Sequence, residues 1–241
     1  MNIIRFNWHQ YVIVLIAILI LFITAFFLLQ PYQSIIFIIG TLALSTTLIS
    51  LFVSYYVYDY SDFYCLDFVK NLNGLKLLNI NAGFDETSEI LKTKYPQVIL
   101  TMSDFYNPEK HTELSIKRAR KAYPASKETI LVNTSSLPFK DQEFDIVICV
   151  FSAHEIRDIN ERINFLKELS RILNPVSGEA YLIEHLRDFP NFLAYNIGFF
   201  HFYSKKTWNF CFKKSGLALL QENKITPFVS TFILKSDGVS N

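Results

Sequence analysis

The chain is short of several things at once. Residues 1–57 contain no Asp, Glu or Lys and a single Arg, Arg5, so the other 22 basic and all 22 acidic residues lie in 58–241. That remainder is net neutral and has no Lys/Arg cluster. It therefore offers no counterion-release footprint for nucleic acid and no polybasic patch for anionic lipid, and no nucleic-acid partner is expected. Cysteine is scarce: Cys65, Cys149 and Cys211 are widely spaced and form no C-x-x-C, which excludes a disulfide framework and a zinc knuckle and points to a reducing compartment. Seven Gly and eight Pro in 241 residues exclude collagen-like and low-complexity classes. No internal repeat is present.

What is there in excess is apolar: 51% of residues are hydrophobic and only 19% charged. Residues 11–29 and 35–57 form uncharged runs of 19 and 23 residues. As helices they reach about 28 and 34 Å, enough for a hydrocarbon core of about 30 Å. The short segment 30–34 between them permits only an antiparallel hairpin. Trp8 and Tyr11 before the first run, and Tyr55, Tyr56, Tyr58 and Tyr60 after the second, suit a membrane interface. Thr46, Ser50 and Ser54 recur every fourth residue and allow close helix approach. No ionisable residue lies within either run, so the hairpin reads as an anchor rather than a transport path. A signal peptide would have a shorter core and a small-residue cleavage site, and would not lead into a second span. The expected organisation is a membrane anchor over 1–58, a linker over 59–70 and a folded domain over 71–241. Arg5 against an uncharged turn favours termini, and hence the domain, in the cytoplasm.

Beyond the linker, strand patterns over 76–80, 97–102, 129–133, 144–150 and 179–184 alternate with helical patterns over 86–94, 108–122 and 159–173. This predicts an α/β fold, a doubly wound, mostly parallel sheet of seven strands with helices on both faces. A helix over 205–215 and strands over 217–224 and 228–234 complete it. The link between those strands is too short for a crossover, so the last strand is antiparallel. Such sheets bind ligands at the carboxyl ends of their strands. The residues there are the turn Asn79 to Gly83, then Asp104, then Asn133 and Thr134, then Phe151.

The succession LLNINAG (77–83), SDFYNP (103–108), VNTSSLPF (132–139), FDIVICVFSAHEI (144–156) and LSRILNPVSGEAYLIEHLRD (169–188) resembles the class I S-adenosylmethionine-dependent methyltransferases, in particular their small-molecule and quinone-type branch, over roughly residues 74–235. The resemblance implies a Rossmann-like methyltransferase fold and S-adenosyl-L-methionine as cofactor. It implies that Asn79, Asn81 and Gly83 pass beneath the amino-acid part of the cofactor and that Asp104 holds the ribose diol. Asn133 and Thr134 would flank the adenine, the Asn133 carbonyl accepting from its amine, and Phe151 would border the transferred methyl. The chain departs from the family pattern in carrying Asn79 for an acid, Asn81 and Asp85 for glycines, and Asn133 for an acid. Those departures motivate an alternative, a catalytically silent, membrane-bound interaction module. A nicotinamide oxidoreductase is disfavoured by the missing G-x-G-x-x-G.

Methyl transfer from a sulfonium neutralises charge, so alignment and desolvation supply much of the acceleration. A base is needed only where the acceptor loses a proton. His154, Glu155 and His185 are the candidates, with His154 or His185 preferred as general base. His154, Glu155, His185 and His201 show no metal-ligand spacing, so no metal is expected. Arg118 and Arg120 read as a solvated helix face, and Arg157 and Arg187 as loop-closing ion-pair partners. Residues 189–212 hold ten aromatics, among which Trp208, Cys211 and Phe212 have core spacing. Residues 189–203 lack periodicity and read as a lid, a bilayer-dipping surface or core. The sequence thus predicts a multi-pass membrane protein of two spans, a methyltransferase acting on a hydrophobic or lipid-phase small molecule, with its oligomeric state open.

Overall fold

A computed structural model of the protein describes residues 2–111 and 114–237. The apolar runs form α1 (Asn2–Ala25) and α2 (Tyr32–Tyr55), joined by a tight turn. The two helices approach at Gly40, where a Cβ would stand 2.6 Å from Cε1 of Phe22. Both helices are long and apolar enough to cross a membrane, and only 11% and 6% of the residues in their apolar stretches are buried. Each starts or ends several residues from the expected bounds, because the uncharged run marks what is apolar rather than what is helical.

The sheet has the order β3-β2-β1-β4-β5-β7-β6. Its strands are β1 (Lys76–Asn81), β2 (Ile99–Asp104), β3 (Ile130–Leu131), β4 (Ile146–Val150), β5 (Glu179–His185), β6 (Leu217–Thr226) and β7 (Val229–Ser236). The first five run parallel, and β7 is antiparallel to both β5 and β6. This is the seven-stranded mixed sheet of the Rossmann-like methyltransferase fold, with the expected antiparallel last strand. The helices are α3 (Ser88–Lys94), α4 (Leu114–Ala122), α5 (Ile159–Ile172), α6 (Phe189–Tyr195) and α7 (Lys205–Lys214).

Alternate residues of the central strands feed two cores, because successive strand side chains point to opposite faces. Val147, Cys149 and Leu182 face α5 and α7, meeting Phe165, Leu169, Trp208 and Phe212. Ile146, Ile148 and Ile183 face the other side, which α3 shares with Val57, Phe63, Leu66 and Val69. Within the expected linker over 59–70, Phe63, Leu66 and Val69, spaced three apart, bury against the sheet. Of the expected helix over 108–122, Leu114–Ala122 is helical, while Asn107 folds a turn ahead of it, its side chain accepting from the Glu109 amide. Residues 112 and 113 lie outside the described residues.

Candidate functional site

The site is built at the carboxyl ends of β1, β2, β4 and β5. The Asn79 side chain donates to the Thr87 and Ser88 hydroxyls at 2.9 and 2.8 Å, fixing the turn beyond β1. Asp85, at the position of a family glycine, turns the same way, accepting the amides of Thr87 and Ser88 at the start of α3; its charge serves the helix terminus. Asn81 Oδ1 accepts the Gly83 amide at 3.2 Å, while its buried Nδ2 has no partner among the described residues. Gly83 has φ +103, and a Cβ there would lie 2.7 Å from the Tyr106 ring and 3.0 Å from Ile116. Only glycine fits on both counts.

Asp104 is buried, accepts the Tyr106 amide at 2.8 Å and pairs through Oδ2 with Arg120 at 2.5 Å. Arg120 also donates to the Gly83 carbonyl and stacks over Tyr106 at 4.3 Å. The reading of Arg118 and Arg120 as a solvated face is therefore corrected. Arg118 donates to the Phe6 carbonyl at 2.8 Å and stacks over Trp8, because α4 lies against the first turns of α1. Asn133 and Thr134 line a cleft of about 780 Å³ that also reaches Tyr106 and Glu155. The Asn133 carbonyl accepts the Ser136 amide and the Thr134 hydroxyl donates to Glu161 at 2.6 Å. Arg171 clamps this loop by donating to the carbonyls of Leu137 and Phe139.

Two further cavities continue the cleft. One of about 170 Å³ lies at the turn after β1, bounded by Asn81, Phe84, Phe151 and Glu155. The next, about 320 Å³, shares Phe84, Ile116 and Phe151 with it and is closed by Phe6 and Tyr58 from the helical hairpin. Glu155 thus borders the first two lobes and Phe151 the last two. Phe151 holds φ +48, a left-handed conformation that costs a bulky residue about 1–3 kcal/mol and marks sites where geometry is imposed. Its ring stacks on His185 at 4.8 Å and on Phe63 at 5.2 Å.

The three sequence-predicted catalytic residues separate into two groups. His154 and Glu155 sit on the 3-10 turn after β4. His154 Nδ1 bonds Glu184, fully buried in β5, at 2.5 Å, and its Nε2 faces Glu155 at 3.3 Å. Burial alone lowers the His154 pKa, but the Glu184 and Glu155 charges outweigh it and hold the group at about 10. Burial raises the Glu155 carboxyl, and hydrogen bonds from His154 and His201 more than reverse that, leaving it well below the usual carboxylate range. His185 stands apart. Its Nδ1 donates to the Phe228 carbonyl at 2.9 Å, so Nε2 accepts the Tyr58 hydroxyl at 2.7 Å. Burial pushes its pKa down to about 4. Tyr58, Tyr106 and Arg120 were not picked out as site residues; Tyr58 carried only the signal of an interfacial aromatic.

Residues 109–178 match the model of a family described as a methyltransferase domain. No curated protein matches the chain. Among solved structures, the chain is similar to an S-adenosylmethionine-dependent methyltransferase from Aquifex aeolicus, at 14% identity over 78% of this chain and 97% of that one, TM-score 0.50. It is also similar to an O-methyltransferase family 2 protein from Planctomyces limnophilus in complex with apigenin, at 14% identity over 80% and 61% of the two chains, TM-score 0.52. The structural likeness establishes the fold. With the domain match it supports a class I methyltransferase and implies S-adenosylmethionine as its cofactor.

The residues present fit that cofactor at both ends. The unpartnered Asn81 Nδ2 at the glycine turn is a donor suited to a carboxylate, and the large lobe beside Asn133 and Thr134 has room for an adenine. Between them, Tyr106, Ile116 and Arg120 lie across Gly83 and Asp104, so a ribose reaches Asp104 only with the Arg120–Tyr106 stack displaced.

Proposed function

We propose that the protein is a membrane-anchored methyltransferase acting on a hydrophobic acceptor taken from the lipid phase. One observation carries this reading: the hairpin supplies a wall of the site. Phe6 and Tyr58 close the 320 Å³ lobe, and Phe151, at its inner end, is the residue the family resemblance sets beside the transferred methyl. An apolar acceptor leaving the bilayer along the hairpin thus meets a cavity in which Phe6, Phe84, Ile116, Ala119 and Phe151 line the way to the reacting position, with Asp59 and Glu86 also in its wall. Confinement of enzyme and acceptor to one membrane raises their encounter rate.

Three features support the membrane part. The apolar faces of α1 and α2 are left uncovered, unlike those of a core helix. The helix α6 lies against α2 and, with the turn that follows, exposes Phe189, Phe192, Leu193, Ile197 and Phe200, an apolar surface continuous with the hairpin. The aromatic run over 189–203 then reads as a surface resting on the bilayer. The lone Arg5, held on the domain side by the Tyr123 hydroxyl at 3.1 Å, favours a cytoplasmic domain.

When bound, S-adenosylmethionine supplies an electrophilic methyl on a sulfonium. Asn81 and the Gly83 turn would hold its amino-acid end, Asp104 its ribose, and Asn133 with Thr134 its adenine, while Asn79 holds the turn in shape. Glu155, which borders the cleft and is held by His154, itself fixed by the buried Glu184, would receive the polar end of the acceptor. His185, with both ring nitrogens committed, positions Phe151 and the hairpin rather than reacting.

The test is incubation of full-length protein in native membranes with methyl-labelled S-adenosylmethionine, followed by lipid extraction. Label in an extracted lipid species, reduced with an Asp104→Asn variant at limiting cofactor, is expected; label in no lipid overturns the reading. The displacement required at Arg120 and Tyr106 favours the silent interaction module as the second reading. Calorimetry on the folded, detergent-solubilised protein separates the two, since no cofactor binding would leave only the module.

A further inference from the structure

The geometry points to a divalent metal site formed by His154, Glu155 and His201, of the kind that takes zinc. The three side chains each offer a ligand atom, and these lie within 4.8 Å of one another. Glu155 Oε1 stands 3.3 Å from His154 Nε2 and 3.4 Å from His201 Nε2. A tetrahedral ion with bonds of about 2.0–2.1 Å separates adjacent ligand atoms by roughly 3.3–3.4 Å, so both spacings to Glu155 match coordination, and an ion entering there takes the place of the His154 Nε2 proton. Two imidazole nitrogens and one carboxylate oxygen are a borderline donor set suited to zinc and its first-row neighbours.

Glu184 supplies the second, independent observation. It is fully buried on β5, and His154 Nδ1 meets it at 2.5 Å while its other oxygen accepts the His154 amide at 3.2 Å. Ligating histidines commonly donate their other ring N–H to such a carboxylate, which fixes the ring and raises its basicity. Here that contact leaves Nε2 as the one His154 nitrogen aimed at the cluster. The sequence concealed the site because His201 comes 46 residues after Glu155, on the turn following α6, so no short ligand spacing exists.

Three protein ligands leave a fourth position, and Glu155 borders both the 780 Å³ lobe and the smaller lobe beside Phe151. The open position thus faces the cleft, the arrangement of a catalytic rather than a structural ion. An acceptor hydroxyl joining the ion there would ionise more readily, its proton passing to water and its electron pair remaining on oxygen. Arg157 is the present competitor: its guanidinium meets both ring nitrogens of His201, Nδ1 at 2.7 Å and the ligand atom Nε2 itself, and lies 3.5 Å from Glu155 Oε2. Metal entry displaces it.

This site deepens the proposed reading and rests on it only for the acceptor, so binding is measured without cofactor or acceptor. Full-length protein in detergent, stripped with chelator, is titrated with Zn²⁺ by calorimetry and with Co²⁺ by visible absorption. One ion per chain is expected, with the intense absorption of four-coordinate cobalt. Glu184→Gln should weaken binding about 10- to 100-fold, His201→Ala should do at least as much, and Arg157→Met should tighten it. His201 is partly exposed on a turn, so His201→Ala should keep the thermal midpoint of the parent; His201→Asn serves as the second variant if it does not. Absence of binding, or equal affinity in parent and both His201 variants, overturns the metal site. Either result leaves label transfer from S-adenosylmethionine to lipid as the separate measure of the methyltransferase reading.

Discussion

Tyr58 donates its hydroxyl to Nε2 of His185 at 2.7 Å, across 127 residues of sequence. The contact ties the end of the helical hairpin to the last residue of β5, and Phe151 stacks on the same imidazole. Hairpin, sheet and site therefore share one buried junction. Loss of the hydroxyl in Tyr58→Phe keeps the ring but leaves a buried acceptor unpaired, at a cost of about 1–3 kcal/mol. Thermal unfolding of the detergent-solubilised chain should show a midpoint lower by roughly 2–10 °C. Cofactor affinity should stay unchanged while the KM for the acceptor rises. An unchanged midpoint would mean the hydroxyl makes no net contribution.

The same histidine predicts an acid limb to stability. Burial sets its folded pKa at about 4, below the value of about 6.5 of an exposed imidazole. A depressed pKa means the unfolded chain binds the proton more readily. The contribution is thus fully present above pH 6.5 and is lost as pH falls through 4, amounting to about 3 kcal/mol. Denaturant unfolding at pH 7 and pH 4 should show a smaller drop for His185→Gln than for the parent. Parallel losses in the two proteins would assign the acid limb to other groups.

How much of this was legible depended on how local the determinant was. The sheet could be read because each central strand is a short continuous apolar run between turn signals, and because the link between β6 and β7, Pro227 and Phe228, leaves no room for a crossover. Asn81 and Asp104 end β1 and β2, and Gly83 and Phe151 follow β1 and β4 closely, so their place at the carboxyl edge of the sheet was readable. Arg120 could not: helical periodicity set it on a polar face, and what it meets is decided by where β2 ends, not by its neighbours in α4. Residues 59–70 lacked the period of either helix or strand, yet Phe63, Leu66 and Val69 bury on the sheet through 3-10 and irregular turns. That His154, Glu155 and His201 converge could not be read for the reason Tyr58 could not, since these side chains meet only after the chain has folded.

Asp104 offers the most direct test of the cofactor site. Its Oδ1 holds the Tyr106 amide and its Oδ2 pairs with Arg120. Asp104→Asn removes the charge that a ribose diol would use, and hydrogen bonds to a charged group are worth about 1.5–3 kcal/mol. Calorimetry should show S-adenosylmethionine binding weakened about 10- to 100-fold. Tyr106→Ala removes the ring that crosses Gly83, and should speed cofactor association in stopped-flow measurements. A slower association would make the Tyr106 ring a cofactor contact rather than an obstacle.

The exposed aromatic surface beyond β5 gives the last prediction. Phe199 and Phe200 pack at 4.5 Å, Phe199 meets Phe192 at 5.2 Å, and Arg187 donates to the Phe200 carbonyl at 2.5 Å. The backbone of this turn is thereby anchored while Ile197 and Phe200 project outward, 83% and 61% exposed. Each side chain entering the bilayer interface gains about 1.5–3 kcal/mol, the worth of removing it from water. Replacing Phe199 and Phe200 with Ser should therefore slow turnover of a lipid-phase acceptor while cofactor affinity and the thermal midpoint stay intact. Equal loss of acceptor turnover and cofactor binding would show that these rings hold the fold. Restored turnover when the acceptor is presented in detergent micelles would place the defect in membrane contact.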